Sequence, residues 1–295
     1  MSAILEIGDS TGMTVINDGV SYWQLGDAGM GTPEIQRLAQ SGPNQHGETD
    51  MGYRLKSRQL QLVLLWQSTN ESTYWQMRDT TMALFAPRSY ARWLRLTRPD
   101  GQIRQIDVHP TGAMDFPSQQ RVGVSTQQVA ITFQAPDPTW YDPTEVVQNF
   151  GISGATGSFT VPMPVPFGVG AASVNQTTIV SYPGTWQANP VIQILGPMTN
   201  PVITNNTTGE VLSLTATILV NQTWTIDTRY GQKSVIDQAG ANQISTLSDT
   251  SNLATFHLAS VVDTPGGLNS ITVAGSGATA ATIVYIRYYT RYIGA

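Results

Sequence analysis

Apolar and polar residues alternate with a period of two along much of the chain. In "QLQLVLLW" Leu60, Leu62, Leu64 and Trp66 share one face, in "QQVAITFQA" Val129, Ile131, Phe133 and Ala135 do so, and in "VLSLTATI" Leu212, Leu214, Ala216 and Ile218. Successive side chains of a strand point to opposite faces, so each run predicts a half-buried antiparallel strand. One segment departs from this. In "STNESTYWQMRDTTMALFAP" the residues Tyr74, Met77, Thr81, Leu84 and Phe85 recur at helical spacing, with Ser68 and Glu71 placed as a capping box and Pro87 as a stop. A single helix near residues 69–86, lying against a sheet, is expected.

After Pro143 the texture changes. Turn signals such as Thr208-Gly209, Tyr230-Gly231 and Pro265-Gly266-Gly267 separate short strands, the pattern of a β-sandwich. The run from Gly151 to Ser173 is rich in Gly and Pro, and its prolines at every second position remove ladder donors, which assigns it to an edge or a connection. The boundary falls in "FQAPDPTWYDP", giving domains 1–143 and 144–295. Pro136, Pro138 and Pro143 fix φ and extend the residues before them, so the strand ending at Ala135 leaves its sheet along a set path. Trp140 and Tyr141, next to this Pro136-Asp137-Pro138 turn, add apolar area that pins the elbow.

Composition narrows the chemistry. The 295 residues contain no cysteine, which excludes thiolate metal sites, cysteine nucleophiles and disulfides. Charged residues are 12% of the chain, the net charge is −5 and hydrophobic residues reach 40%, so the surface is polar without being ionic and disorder is not expected. No run has the length of a membrane helix, and a soluble, unsecreted protein is expected. From Arg54 to Arg104 eight arginines and one lysine face only Glu71, Asp79 and Asp100. Outward-pointing arginines paired with acids on neighbouring elements or subunits account for this better than nucleic acid does, because the whole chain is acidic.

Catalytic patterns are missing. Asp107 and His109 share a strand face, yet no third group stands at a recognisable spacing from them, and His46 and His257 are isolated. "GSGATA" (Gly275 to Ala280) fits a dinucleotide-binding pattern but leads into the strand-like "ATIVYIRYY", so it reads as a hairpin turn. No metal or cofactor is expected. Tyr182, Trp186 and Trp224 could stack on sugar rings from a β-sandwich, which would make the chain a carbohydrate-binding adhesin; against this, Trp224 shares a face with Ile226, a core type. "YIRYYTRYI" reads as a last strand or as an interface patch.

Taken in order, "GPNQHG", "SRQLQLVLLWQS", the helix, "QVAITFQAPDPTWYDP", "NPVIQILGPMTNPVITNNTTGEVLSL", "QTWTIDTRYGQKSV" and "PGGLNSITVAGSG" resemble the distal tail (Dit), or siphophage tail component, family of long-tailed bacteriophages. The resemblance implies an all-β chain with one helix: a tail-tube-like N-terminal domain followed by a galectin-like C-terminal sandwich. It further implies a non-enzymatic virion protein, made in the bacterial cytoplasm. Copies would form a hexameric homo-oligomeric ring joining the tail tube protein to tail-associated, baseplate and receptor-binding proteins, without contact to a membrane. DNA would pass through the lumen unbound, so the lumen is expected to be acidic or neutral rather than lined by Arg54, Arg58 or Arg92.

Overall fold

Two of the alternating runs meet across one ladder, where Leu60 lies opposite Phe133, Leu62 opposite Ile131 and Leu64 opposite Val129. All six side chains are buried, each contributing roughly 1.5–3 kcal/mol of transfer free energy. The computed structural model describes residues 3–117, 121–122, 126–151 and 173–295. The chain divides into two compact units, Met1–Pro143 with Tyr292–Ala295, and Thr144–Arg291. The last four residues thus group with the first unit, not with the second half as expected. The proline-rich run lies, from 152 to 172, outside the described residues.

The first unit contains β1 (Ile4–Asp9), β2 (Gly12–Val15), β3 (Trp23–Ala28), β4 (Ile35–Gln40), β5 (Thr49–Leu55), β6 (Arg58–Gln67), α1 (Glu71–Leu84), β7 (Arg92–Thr97), β8 (Ile103–Thr111), β9 (Arg121–Val122), β10 (Thr126–Ala135) and the start of β11 (Trp140–Gly151). From β6 the ladder runs one way to β3 and the other to β10 and β8, and then through β7 and β1 to β2. Among the described residues β4 and β5 pair only with each other.

α1 covers the inner face of β6 and β10. The Tyr74 ring lies 5.0 Å from that of Trp66, and Phe85 lies 5.9 Å from Phe133. Tyr74 donates to Gln127 Oε1 (2.9 Å), and the hydroxyls of Thr81 and Tyr22 share a hydrogen bond (3.1 Å). The inward face is the one the spacing predicts, but the cap is different. Asn70, not Ser68, starts the helix: its Oδ1 accepts from Thr73 N (2.9 Å) and Thr73 Oγ1 (3.1 Å). Asn70→Ala is therefore expected to lower stability by about 1 kcal/mol in urea unfolding. A change below a few tenths would mean that another group takes over the cap.

The second unit is a sandwich. Its strands are the remainder of β11, β12 (Ser173–Ser181), β13 (Val191–Leu195), β14 (Met198–Asn205), β15 (Glu210–Ser213), β16 (Thr217–Ile218), β17 (Thr223–Asp227), β18 (Ser234–Ile236), β19 (Leu268–Ser276) and β20 (Ile283–Tyr292). One sheet has the order β18-β17-β13-β20-β11, the other β12-β19-β14-β15 with β16 beside β14. Inward residues of both sheets, among them Ile192, Ile226 and Ile286 from one and Val180, Ile203 and Val273 from the other, form one continuous core. "YIRYYTRYI" is mostly β20, an interior strand with Ile286, Tyr288 and Thr290 buried and Tyr285, Arg287 and Tyr289 on the other face. Gly275 to Ala280 is no hairpin: β19 and β20 belong to different sheets, so this turn carries the chain from one layer to the other.

Candidate functional site

The residues considered for catalysis do not converge. Asp107 accepts a hydrogen bond from the Tyr141 hydroxyl (2.6 Å), so it serves the fold beside His109. His46 lies exposed in the β4–β5 turn, and His257 Nδ1 lies 3.0 Å from Glu210 Oε2. Among the described residues no three His, Cys, Asp or Glu side chains gather as metal ligands, and no helix is long and apolar enough to cross a membrane.

The proposed sugar-stacking trio is corrected by burial. Tyr182 is 0% exposed; its hydroxyl donates to Trp186 O (2.6 Å) and accepts from Arg291 N (2.8 Å). Trp224 is 7% exposed because Ile194, its partner across the ladder, faces the same core. Trp186 alone is half-buried. Two of the three rings therefore offer no face to a sugar, and the three do not form a platform.

The elbow is tied into the first unit. Asp137 Oδ1 accepts from Thr139 N (3.1 Å) and Thr139 Oγ1 (2.7 Å), closing the Pro136-Asp137-Pro138 turn. Trp140 is completely buried in the core of that unit. Tyr141 lies opposite Gln105 of β8 and its hydroxyl accepts from Gln105 Nε2 (2.9 Å), with Pro143 partly covered.

Three arginines expected to point outward are buried instead: Arg58 at 2%, Arg92 at 7% and Arg104 at 8% exposure. Their partners are backbone carbonyls rather than acids. Arg58 donates through Nη1 to Gly29 O (2.6 Å) and Gly31 O (2.5 Å), through Nε to Pro138 O (2.7 Å) and through Nη2 to Ile293 O (2.6 Å). Burial pulls its guanidinium down to about 10, which leaves it charged at neutral pH. Arg92 donates to Leu84 O at the C-terminal, negative end of α1. Arg104 donates to Gly294 O (2.6 Å) and lies 3.5 Å over the Tyr292 ring. Arg58 and Arg104 together hold the returning segment Tyr292–Ala295, whose Ala295 N also donates to Met30 O (3.0 Å).

The β4–β5 hairpin is the opposite case, a strand pair with its apolar side chains in water. Ile35 is 53%, Met51 61% and Tyr53 51% exposed, and "GPNQHG" forms its exposed turn. Within the pair, Lys56 bonds Glu34 (2.5 Å), Arg37 bonds Asp50 (3.4 Å), and Arg54 donates to Gln36 (2.8 Å). A two-stranded hairpin alone is marginal in water, and exposed apolar side chains that gather on one element are a common mark of an interaction surface. The alternation in "QLQLVLLW" located β6, but neither of these two strands nor their separation from the main sheet was expected from the sequence.

No protein-family model and no curated protein matches the sequence. Solved structures do. SPP1 Dit (gp 19.1), described as a hub adsorption apparatus in Gram-positive-infecting phages, aligns over 97% of this chain and 98% of its own, with 12% identity and a TM-score of 0.65. A chain of the phage P2 baseplate in its activated conformation with Ca aligns over the same shares, at 12% identity and a TM-score of 0.45. At such identities it is the path of the backbone that is shared, and from end to end this chain has the mainly β, Dit-like fold of the SPP1 hub protein.

Proposed function

We propose that this protein is a structural hub of a phage tail tip or baseplate. Copies of the first unit assemble into a hexameric ring that joins the tail tube to tail-associated and receptor-binding proteins and leaves a lumen for DNA. The observation that carries this reading is the end-to-end match with SPP1 Dit, which spans both units in one order instead of a single common β module. Exposed apolar residues on the β4–β5 hairpin support it, since a second copy of the chain would cover them in a ring. Burial of Arg58 and Arg92 against carbonyls also fits, because a cation engaged in this way holds no phosphate of a passing polyanion. The proline-stiffened elbow belongs to the same reading, as the joint of a part that bears load and breaks no bonds.

Native mass spectrometry and negative-stain imaging of the concentrated protein test it, with rings of six as the expected result. Met51→Glu with Tyr53→Glu is expected to weaken ring assembly by about 100-fold, the scale of an interface hot spot, while the melting temperature stays unchanged because both side chains are exposed. A protein that stays monomeric at every concentration, or a double variant that assembles as well as the parent, would overturn the hairpin's role in the ring.

A further inference from the structure

A ring contact that closes by rotation needs two different patches on each copy, and the β4–β5 hairpin is only one of them. Its strands carry a bulge: Arg37 pairs with Tyr53 and Ala39 with Asp50, so Leu38 faces Met51 and Gly52. Leu38 is 38% exposed and Met51 61%. The hairpin's basic side chains are engaged within it, Lys56 by Glu34, Arg37 by Asp50 and Arg54 by Gln36. One acid is left over. Glu48, exposed at the turn into β5, has no hydrogen bond and no ion pair among the described residues.

The second patch is on α1. Tyr74, Met77 and Thr81 turn towards the core, which places Trp75, Arg78 and Met82, at i, i+3 and i+7, along the outward side. Trp75 is 46% and Met82 39% exposed. Between them the Arg78 guanidinium lies 5.2 Å from the Trp75 ring and 4.7 Å from the Phe116 ring. The rings fix its plane and take none of its donors. Among the described residues Arg78 has no hydrogen bond and no ion pair, although Asp79 follows it and Asp115 precedes Phe116. A guanidinium stacked in this way presents the edge of its fork, where a carboxylate binds through two parallel bonds.

We propose that the β4–β5 hairpin of one copy docks on the outer side of α1 of the next copy, an inference that rests on the hexameric-ring reading. Within one copy Leu38, Met51, Trp75 and Met82 are all exposed, so a hairpin does not cover its own helix. The charges are complementary: the hairpin's unpaired acid, Glu48, meets the one cation of α1, Arg78. The spacings agree as well. A strand advances roughly 10 Å from Glu48 to Met51 and a helix about 6 Å from Arg78 to Met82, and two long side chains at the charged end make up the difference. A glutamate held by Arg78 therefore brings Met51 and Leu38 onto Met82, with Trp75 closing the charged end from water.

The chain has no cysteine of its own, so single cysteines report on the contact directly. Met51→Cys chains are mixed with Met82→Cys chains carrying a mass tag, and the assembled protein is treated with a short bismaleimide. Cross-linked pairs holding one chain of each kind are expected in excess over like pairs. Charge reversal is the second arm. Arg78→Glu and Glu48→Arg should each raise the concentration at half assembly about tenfold in sedimentation, and the two together in one chain should return it to within about twofold of the parent. An Arg78 that only holds Phe116 on α1 would not be rescued by a change at Glu48. Rings of six that give no mixed cross-link, or a double variant that assembles no better than Arg78→Glu alone, would overturn this contact and leave the hub reading standing. A chain that stays monomeric at every concentration would remove the ring and the contact together.

Discussion

Replacing Arg58 with methionine is expected to cost the first unit about 3–5 kcal/mol, the range for removing one side of a buried charged contact. Methionine keeps much of the arginine stem, so the loss comes from the carbonyls of Gly29, Gly31, Pro138 and Ile293, which would lose the donors of a side chain that is only 2% exposed. Each unsatisfied carbonyl costs about 1–3 kcal/mol. The sum is offset by no longer desolvating a cation, and by water reaching the chain after it relaxes. Arg58→Lys should not rescue stability, because an ammonium has three donors on one atom and cannot span four acceptors around a planar fork. Urea unfolding gives the magnitude. Hydrogen exchange gives the place: protection at Ala295 N, which donates to Met30 O, should collapse in both variants. A methionine variant within about 1 kcal/mol of the parent would mean that the four carbonyls find other partners.

The second large effect is expected at Gly267, with its neighbour as a control. Both Gly266 (φ +68°) and Gly267 (φ +63°) occupy the left-handed region, where an alanine costs about 1–2 kcal/mol. A Cβ on Gly266 would meet nothing closer than the Leu268 side chain at 3.6 Å, an ordinary contact. On Gly267 it would come within 1.9 Å of Tyr182 O and 2.8 Å of Tyr182 C. These are backbone atoms of a segment held in register by the bond from Tyr182 N to Gly267 O (2.9 Å), so neither side can yield cheaply. Gly267→Ala should therefore cost at least about 3 kcal/mol and Gly266→Ala about 1, measured by thermal unfolding of the two variants side by side. Equal losses would show that the turn simply moves away from Tyr182.

What was legible was what repeats. Leu60, Leu62, Leu64 and Trp66 are all buried, and so are Val129, Ile131 and Phe133, because a period of two is a property of any strand with one face covered. The helix was found by the same logic, while its first residue was missed because Ser68 and Asn70 are both competent caps and only the bond to Thr73 N distinguishes them. The buried arginines carried a signal that charge counting overrode. Arg58 is in phase with Leu60 and Leu62, Arg92 with Leu94, and Arg104 with Ile106 and Val108, each at the first inward position of its strand. Alternation therefore marked them as inward. Of the candidate sites, the prolines and aromatics from Pro136 to Pro143 stood out as a local pattern, whereas the stacking trio could not be judged, since an aromatic ring in a strand looks alike in a core and on a surface.

The amino-acid order alone settles that this is a cysteine-free, mainly β chain with a helix after Ser68 and a proline-marked change of texture at Pro143. Local sterics and short-range periodicity suffice for that. Only the folded chain decides that Ile293 and Gly294 return to Arg58 and Arg104, that Gly267 and not Gly266 has no room for a methyl group, and that the β4–β5 hairpin stands apart. These depend on contacts between residues up to 235 positions apart, and no local pattern encodes which distant carbonyl or carboxylate a side chain will meet.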